Sequence, residues 1–326
     1  MIVGQDRAIA QFAGAWRGRK LHHAWLLAGP KGVGKATFAR SAARRVLADA
    51  SGPAFDLAGL ETPDDHPTVK LVEAGSHPDM RWLERLLNEK TGNLNRNIKV
   101  DQIRELGQFM GMTAALSPWR VAVIDSVDDL EPAGANALLK MLEEPPANSL
   151  FFLVSHAAGR LLPTIRSRCR RLDFHDLGND AMTSILESQA PQLGEAERQR
   201  TIAMSFGSAG RALAFAELDL GKLEDAALAI LRQGDPTNAR RAQLAGEFSR
   251  KAAAERYTAF LDLAPSLIAR EARRLDGPAR ERAVDAYDKA RELATLAPRL
   301  SLDPAATVFQ LGGILANVAE VPSLKR

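Results

Sequence analysis

Three short runs of the chain are apolar almost without interruption: Ala24-Trp25-Leu26-Leu27-Ala28, Arg120-Val121-Ala122-Val123-Ile124-Asp125 and Leu150-Phe151-Phe152-Leu153-Val154-Ser155. Their β-branched and aromatic content, over lengths too short for helices, predicts strands buried on both faces. That is the pattern of a parallel sheet covered by helices. Between the second and third runs, the stretch from Ala135 to Glu144 places Ala137, Leu138, Met141 and Leu142 at helical spacing, and Pro145-Pro146 stops it. A further helix is expected to start near Lys35. From about Ala50 to Val69, Gly, Pro and Asp recur without a period, which predicts a loop or variable insertion. Beyond Phe174 the strand signals cease and the pattern is helical, with breaks expected near Gly207-Ser208, Gly234-Asp235-Pro236, Asp276-Gly277-Pro278 and Asp303-Pro304.

A length of 326 residues exceeds one ordinary core, so two or three domains are expected. With 46% hydrophobic and 25% charged residues the composition is that of a globular protein. Met1-Ile2-Val3-Gly4-Gln5-Asp6-Arg7 has neither the basic start nor the apolar stretch of a signal peptide, and no apolar run reaches membrane-spanning length. A cytoplasmic location is the expectation. The single cysteine, Cys169, excludes an internal disulfide framework and a Cys-rich zinc site. A net charge of +3 permits an anionic partner without requiring one. Runs such as Arg270 to Asp276 mix both signs, as a solvated helix face does.

The first apolar run leads into Gly29-Pro30-Lys31-Gly32-Val33-Gly34-Lys35-Ala36-Thr37. This follows the phosphate-loop pattern, in which backbone N–H groups cradle phosphates, a lysine pairs with the β and γ oxygens and a Ser or Thr hydroxyl holds Mg²⁺. Here the cradle and lysine are present but Ala36 replaces the hydroxyl, and a Gly-rich strand-to-helix turn without a ligand remains the alternative. ATP or ADP with Mg²⁺ is the cofactor such a loop would take.

Ligands of open α/β sheets collect at the carboxyl ends of strands, so Gly29 to Lys35, Asp125 and Ser155 are expected to converge on one crevice. Asp125 is placed to hold Mg²⁺ through water, or else to serve as a turn or capping aspartate. Ser126 follows where many phosphate-loop hydrolases carry a glutamate that polarises water, and serine is a poor base. Asp128 and Asp129 are not expected to substitute. Arg168, within Ser167-Arg168-Cys169, is either a surface arginine or a group that stabilises phosphoryl charge in cis or in a neighbouring subunit. Cys169 reads as a small buried residue, and His22 and His23 as packing or polar-cap residues.

The order of these pieces resembles the clamp-loader branch of the AAA+ family and, within it, the δ′ class of DNA polymerase III subunits. The resemblance rests on Ile2-Val3-Gly4-Gln5, Leu21-His22-His23-Ala24-Trp25, Ile98-Lys99-Val100-Asp101-Gln102-Ile103-Arg104, Ala135-Asn136-Ala137-Leu138-Leu139-Lys140, Leu142-Glu143-Glu144-Pro145-Pro146 and Ser167-Arg168-Cys169. It implies a RecA-like AAA+ sheet domain over residues 1–173, a helical lid over 174–216 and an all-α collar that oligomerises over 217–326. It further implies a stator in DNA replication with little or no ATPase or polymerase activity of its own. Such a subunit works in a hetero-pentamer with the ATPase subunit γ/τ and the δ subunit, acting on a sliding clamp and, through the complex, on primed DNA. Arg168 would be its arginine finger, acting in trans on the neighbour's ATP site, and no metal site is implied for the chain itself.

An ATP-hydrolysing subunit of the γ/τ type is the alternative, with Thr37 supplying the missing hydroxyl. Ala36, Ser126 and Gly210 favour δ′, since the ATPase subunit carries a sensing arginine where this chain has Gly210, beside Arg211. Length favours it too, because τ carries a long extension. Many δ′ and γ subunits hold a zinc module with four cysteines after the phosphate-loop helix. The stretch from Ala50 to Val69 stands in its place without cysteines, so no zinc is expected. The start is short beside relatives that carry residues ahead of Val3-Gly4-Gln5.

Overall fold

Side chains alternate across a strand, and this alternation sorts the apolar residues of the first half onto two faces of one sheet. The computed structural model describes residues 2–87, 94–218, 220–248 and 254–319. It divides into two compact units, Met1–Leu177 and Gly178–Arg326. The first runs α1 (Asp6–Arg17), β1 (Ala24–Ala28), α2 (Lys35–Ser51), α3 (Pro67–Glu73), β2 (Met80–Leu83), α4 (Val100–Gly111), β3 (Arg120–Asp125), α5 (Pro132–Glu143), β4 (Ser149–Ser155), α6 (Pro163–Ser167) and β5 (Arg170–Asp173).

Among the described residues these strands form one five-stranded sheet, order β2-β3-β4-β1-β5, with each neighbouring pair parallel. Trp25, Leu27, Val121, Val123, Phe152 and Val154 face α1 and α2, where Phe12 meets Trp25 edge to face at 5.1 Å. Leu26, Ala122, Ile124, Phe151 and Leu153 face α4, α5 and α6. The expected central strands are thus β1, β3 and β4, buried on both sides. β2 and β5 escape the sequence pattern because they are four-residue edge strands carrying Arg81, Arg170 and Arg171 on their exposed positions.

The stretch expected as a loop from Ala50 to Val69 is shorter, because α2 continues to Ser51 and α3 begins at Pro67. The intervening backbone is pinned by arginines. Arg45 Nη1 donates to Glu61 O at 2.8 Å and Leu57 O at 3.2 Å, and Arg17 Nη2 donates to Leu57 O at 2.9 Å. Charged donors satisfy carbonyls that this aperiodic chain would otherwise bury unpaired.

The second unit is helical among its described residues: α7 (Asn179–Gln189), α8 (Glu195–Ser205), α9 (Ala209–Glu217), α10 (Gly221–Gln233), α11 (Ala239–Gly246), α12 (Ala254–Ala272), α13 (Gly277–Leu300) and α14 (Pro304–Ala316). The breaks fall where the sequence places them: Phe206-Gly207 after α8, Gly234 after α10, Gly277 at the start of α13 and Asp303 capping α14. One apolar core unites Met204 and Phe215 with Leu223, Ile230, Phe260, Leu267, Val308 and Leu315. The expected collar runs to residue 326, whose last seven residues lie outside those described.

Candidate functional site

The loop after β1 turns sharply because Gly29 has no Cβ. One added there would lie 2.2 Å from the Phe174 carbonyl oxygen, at the end of the neighbouring β5. Gly34, at φ 97°, then caps α2 in a left-handed conformation and aims the first amides of a 17-residue helix into the loop. Lys35 opens that helix and is buried at 3% exposure. Its ammonium donates to Gly29 O at 2.6 Å and also to Pro30 O. Burial pushes its pKa down to about 8, against the opposing pull of Asp125 and Asp128.

The register sets the rest. Ala28 lies opposite Ser155 of β4 and Asp173 of β5, and Asp125 lies opposite Val154. Gly29 to Lys35, Asp125 and Ser155 therefore gather at the carboxyl edge of the sheet. Asp125 is half-buried and its carboxyl is held above the usual aspartate range, first by burial, then by Glu84 and Asp129, with Lys35 and Arg40 opposing.

Asp128 organises the crevice. Its Oδ1 accepts from Ser155 Oγ at 2.8 Å; its Oδ2 accepts from Ser126 Oγ at 2.8 Å and from the His156 amide at 2.5 Å. The Ser155 hydroxyl expected at the crevice and the Ser126 hydroxyl that stands in a glutamate's place are thus committed to one carboxylate that ties the end of β3 to the end of β4. Gln5 makes a second tie: its Nε2 donates to Val33 O at 3.1 Å and His175 O at 2.8 Å, joining the phosphate loop to the segment after β5. The Val3-Gly4-Gln5 motif carried the signal for Gln5. For Asp128 only Ser126, two positions earlier, is local; Ser155 and the His156 amide lie 27 and 28 positions away and left no signal.

For phosphate, the donor set fits: helix amides, glycine backbone and a buried lysine, its ammonium resting on the loop carbonyls of Gly29 and Pro30, lie together at the carboxyl edge. For Mg²⁺ it does not, since Ala36 has no oxygen, Ser126 serves Asp128, and Thr37 is exposed on the first turn of α2. Among the described residues no cluster of three His, Cys, Asp or Glu could hold a metal ion. Arg211, beside the position of the sensing arginine, donates from Nη1 to Ser266 Oγ of α12 at 3.3 Å. No helix of the described residues is long and apolar enough to cross a membrane.

Arg168 lies elsewhere. It caps α6 and precedes β5, whose first residue pairs with Trp25 while its last pairs with Ala28 beside the phosphate loop. At roughly 3.3 Å per strand residue, it sits on the order of 10 Å or more from the edge that carries Lys35. Its Nη2 meets Glu143 Oε1 at 2.7 Å and its Nη1 donates to Thr164 O at 3.1 Å. Burial pushes the neighbouring Cys169 thiol up to about 12, so it is not a thiolate nucleophile at neutral pH. His22 and His23 stack at 4.4 Å, and His23 Nε2 sits 3.1 Å from Leu142 O.

The family described as DNA polymerase III, delta subunit matches residues 4–178. DNA polymerase III subunit delta' of Pseudomonas aeruginosa is 35% identical over 192 residues, 59% of this chain and 55% of the relative. DNA polymerase III subunit tau of Bacillus subtilis is 28% identical over 242 residues, 70% of this chain and 39% of the relative. The chain thus spans about half or less of the length of these relatives. Among solved structures, a DNA polymerase III gamma subunit-related protein from Thermotoga maritima aligns over 94% of this chain and 98% of its own, at 16% identity and a TM-score of 0.49.

Proposed function

The chain belongs to the DNA polymerase III delta subunit family, and on that premise we propose that it is a δ′-type clamp-loader subunit supplying Arg168 to the ATP site of a neighbouring ATPase subunit. The observation that carries this reading is the separation of parts. The phosphate cradle lies at the carboxyl edge of the sheet, whereas Arg168 lies on the amino side of β5, 35% exposed, where it serves another chain's site better than its own. An arginine placed against a transferring phosphoryl group neutralises the charge that develops on it.

The chain's own crevice supports a non-hydrolysing role. Gly29 to Ala36 and Lys35 would hold the phosphates of ATP or ADP. With Ala36 in place of a hydroxyl and Ser126 in place of a carboxylate, the crevice lacks two of the side chains with which phosphate-loop hydrolases hold the metal and polarise the water. Residues 1–173 are read as the AAA+ domain, 174–216 as the lid and 217–326 as the collar that joins a hetero-pentamer with γ/τ and δ. That pentamer would act in the cytoplasm on a sliding clamp at primed DNA.

The test is a reconstituted loader carrying Arg168→Ala. DNA-stimulated ATP turnover by the partner subunit is expected to fall by about 10³-fold, the lower range for lost arginine fingers. Unchanged turnover would remove the reading. The γ/τ alternative draws on the similarity to the tau subunit. Turnover by this chain alone that vanishes in Lys35→Ala would establish it instead.

A further inference from the structure

Arg168 is held at two points, one on α5 and one on α6, two helices that share a core. α6 spans only Pro163–Ser167, yet its Ile165 is buried in the same core as Leu138 and Leu142 of α5. α5 ends at Glu143 just before Pro145-Pro146, and the carbonyl of Leu142 is tied to His23 Nε2 at 3.1 Å. The Glu143 carboxylate therefore projects from an anchored helix end, and it meets Arg168 Nη2 at 2.7 Å while Nη1 reaches Thr164 O at 3.1 Å.

This pair contributes little to stability. Both side chains are well exposed, at 35% and 47%, and such pairs are screened by water and salt. A carboxylate in the last residue of a helix also sits unfavourably against the negative end of the helix dipole unless a cation accompanies it. Geometry is what the pair does supply. A guanidinium carries five N–H groups in a fixed fork; two are engaged, and the Nε–H and one on each Nη are left for an incoming phosphate.

We infer that Glu143 is a positioning residue that, with the Thr164 carbonyl, holds the Arg168 guanidinium in one orientation toward the anionic site of a neighbouring subunit. The inference rests on the in-trans reading of Arg168. Without the carboxylate the long side chain samples its rotamers, and that freedom must be lost at the moment of phosphoryl transfer. The cost falls on the transition state, so kcat of the neighbour falls while its KM for ATP holds.

The experiment compares Glu143→Ala, Glu143→Gln, Arg168→Ala and the Glu143→Ala/Arg168→Ala double variant in the reconstituted loader, with DNA-stimulated ATP turnover as readout. Glu143→Ala is expected to lower kcat about tenfold with KM unchanged, part of the roughly 30-fold that an arginine's frozen rotamers amount to, since the Thr164 carbonyl still holds Nη1. Glu143→Gln keeps the acceptor oxygen and recovers part of the loss. The double variant is no worse than Arg168→Ala alone, because Glu143 acts only through the arginine; additive loss would mean a separate structural role and overturn the inference. Wild-type kcat in Glu143→Ala, with Arg168→Ala strongly impaired, overturns it and leaves the in-trans reading intact. A raised kcat overturns it too, since the carboxylate would then be a competitor of the phosphate. No loss in Arg168→Ala removes both.

Discussion

Glu224 of α10 is 1% exposed, and its carboxylate joins three helices. Oε2 accepts from Arg200 Nε of α8 at 2.5 Å and Oε1 accepts from Arg270 Nη2 of α12 at 3.0 Å. Replacing Glu224 by Ala leaves two guanidinium groups without their shared acceptor. Arg200 is 42% exposed and keeps Asp225, so its share is screened to about 1 kcal/mol or less. Arg270, 20% exposed, loses a charge-assisted bond worth roughly 2 kcal/mol. The expected destabilisation is about 3 kcal/mol, or roughly 6–12 °C in Tm for a unit of this size. Thermal and urea unfolding followed by far-UV circular dichroism measures it. The four tryptophans, at positions 16, 25, 82 and 119, report the first unit alone and provide an internal control; Tyr257 and Tyr287 lie in the second. Glu224→Gln, which keeps shape and hydrogen bonding, should lose less than Ala. A loss within about 0.5 kcal/mol for Glu224→Ala would place it among ordinary surface changes and refute the reasoning.

Asp79 is buried, and although burial alone would raise its pKa, amide bonds from Ala115 (2.6 Å), Ser117 (2.9 Å) and Leu116 (2.7 Å) hold it below the usual range. Its contribution is therefore present above the unfolded pKa of about 4 and is lost as pH falls through the lower folded value. Asp79→Asn is expected to cost about 2–3 kcal/mol at pH 7 and to flatten the acid side of the stability curve; an acid limb as steep as wild type would refute this. Lys35 should titrate near 8 by NMR of labelled lysine, and excess ADP should raise that midpoint, because phosphate favours the ammonium. A midpoint at the ordinary 10.5 would refute the burial argument, and a midpoint indifferent to nucleotide would argue against the phosphate cradle.

The sequence was most legible where burial on both faces leaves a local mark. β1, β3 and β4 show as unbroken apolar runs because each contacts helices above and below. The glycines and proline-flanked breaks show because they answer to backbone geometry a few residues long. Edge strands β2 and β5 lack both marks. The carboxyl-edge crevice was legible as a gathering of Gly29 to Lys35, Asp125 and Ser155, since any strand order keeping those three strands adjacent and parallel brings their ends together. Which hydroxyl is spoken for was only half legible: Ser126 meets Asp128 two positions along the same turn, but Asp128 takes Ser155 only because β3 pairs with β4 in one register.

What the sequence determined by itself, then, is a parallel α/β core with a phosphate loop deprived of its hydroxyl, followed by a helical half broken at known places. What only the tertiary structure decided is partnership. Gln5 reaches His175 across 170 positions, Glu224 meets arginines 24 and 46 positions away, and Arg168 finds Glu143 on a helix that ends 25 residues earlier. Periodicity and turn chemistry are encoded in neighbours along the chain, whereas a charge or hydroxyl takes its role from whichever side chain the packed elements bring within about 3 Å.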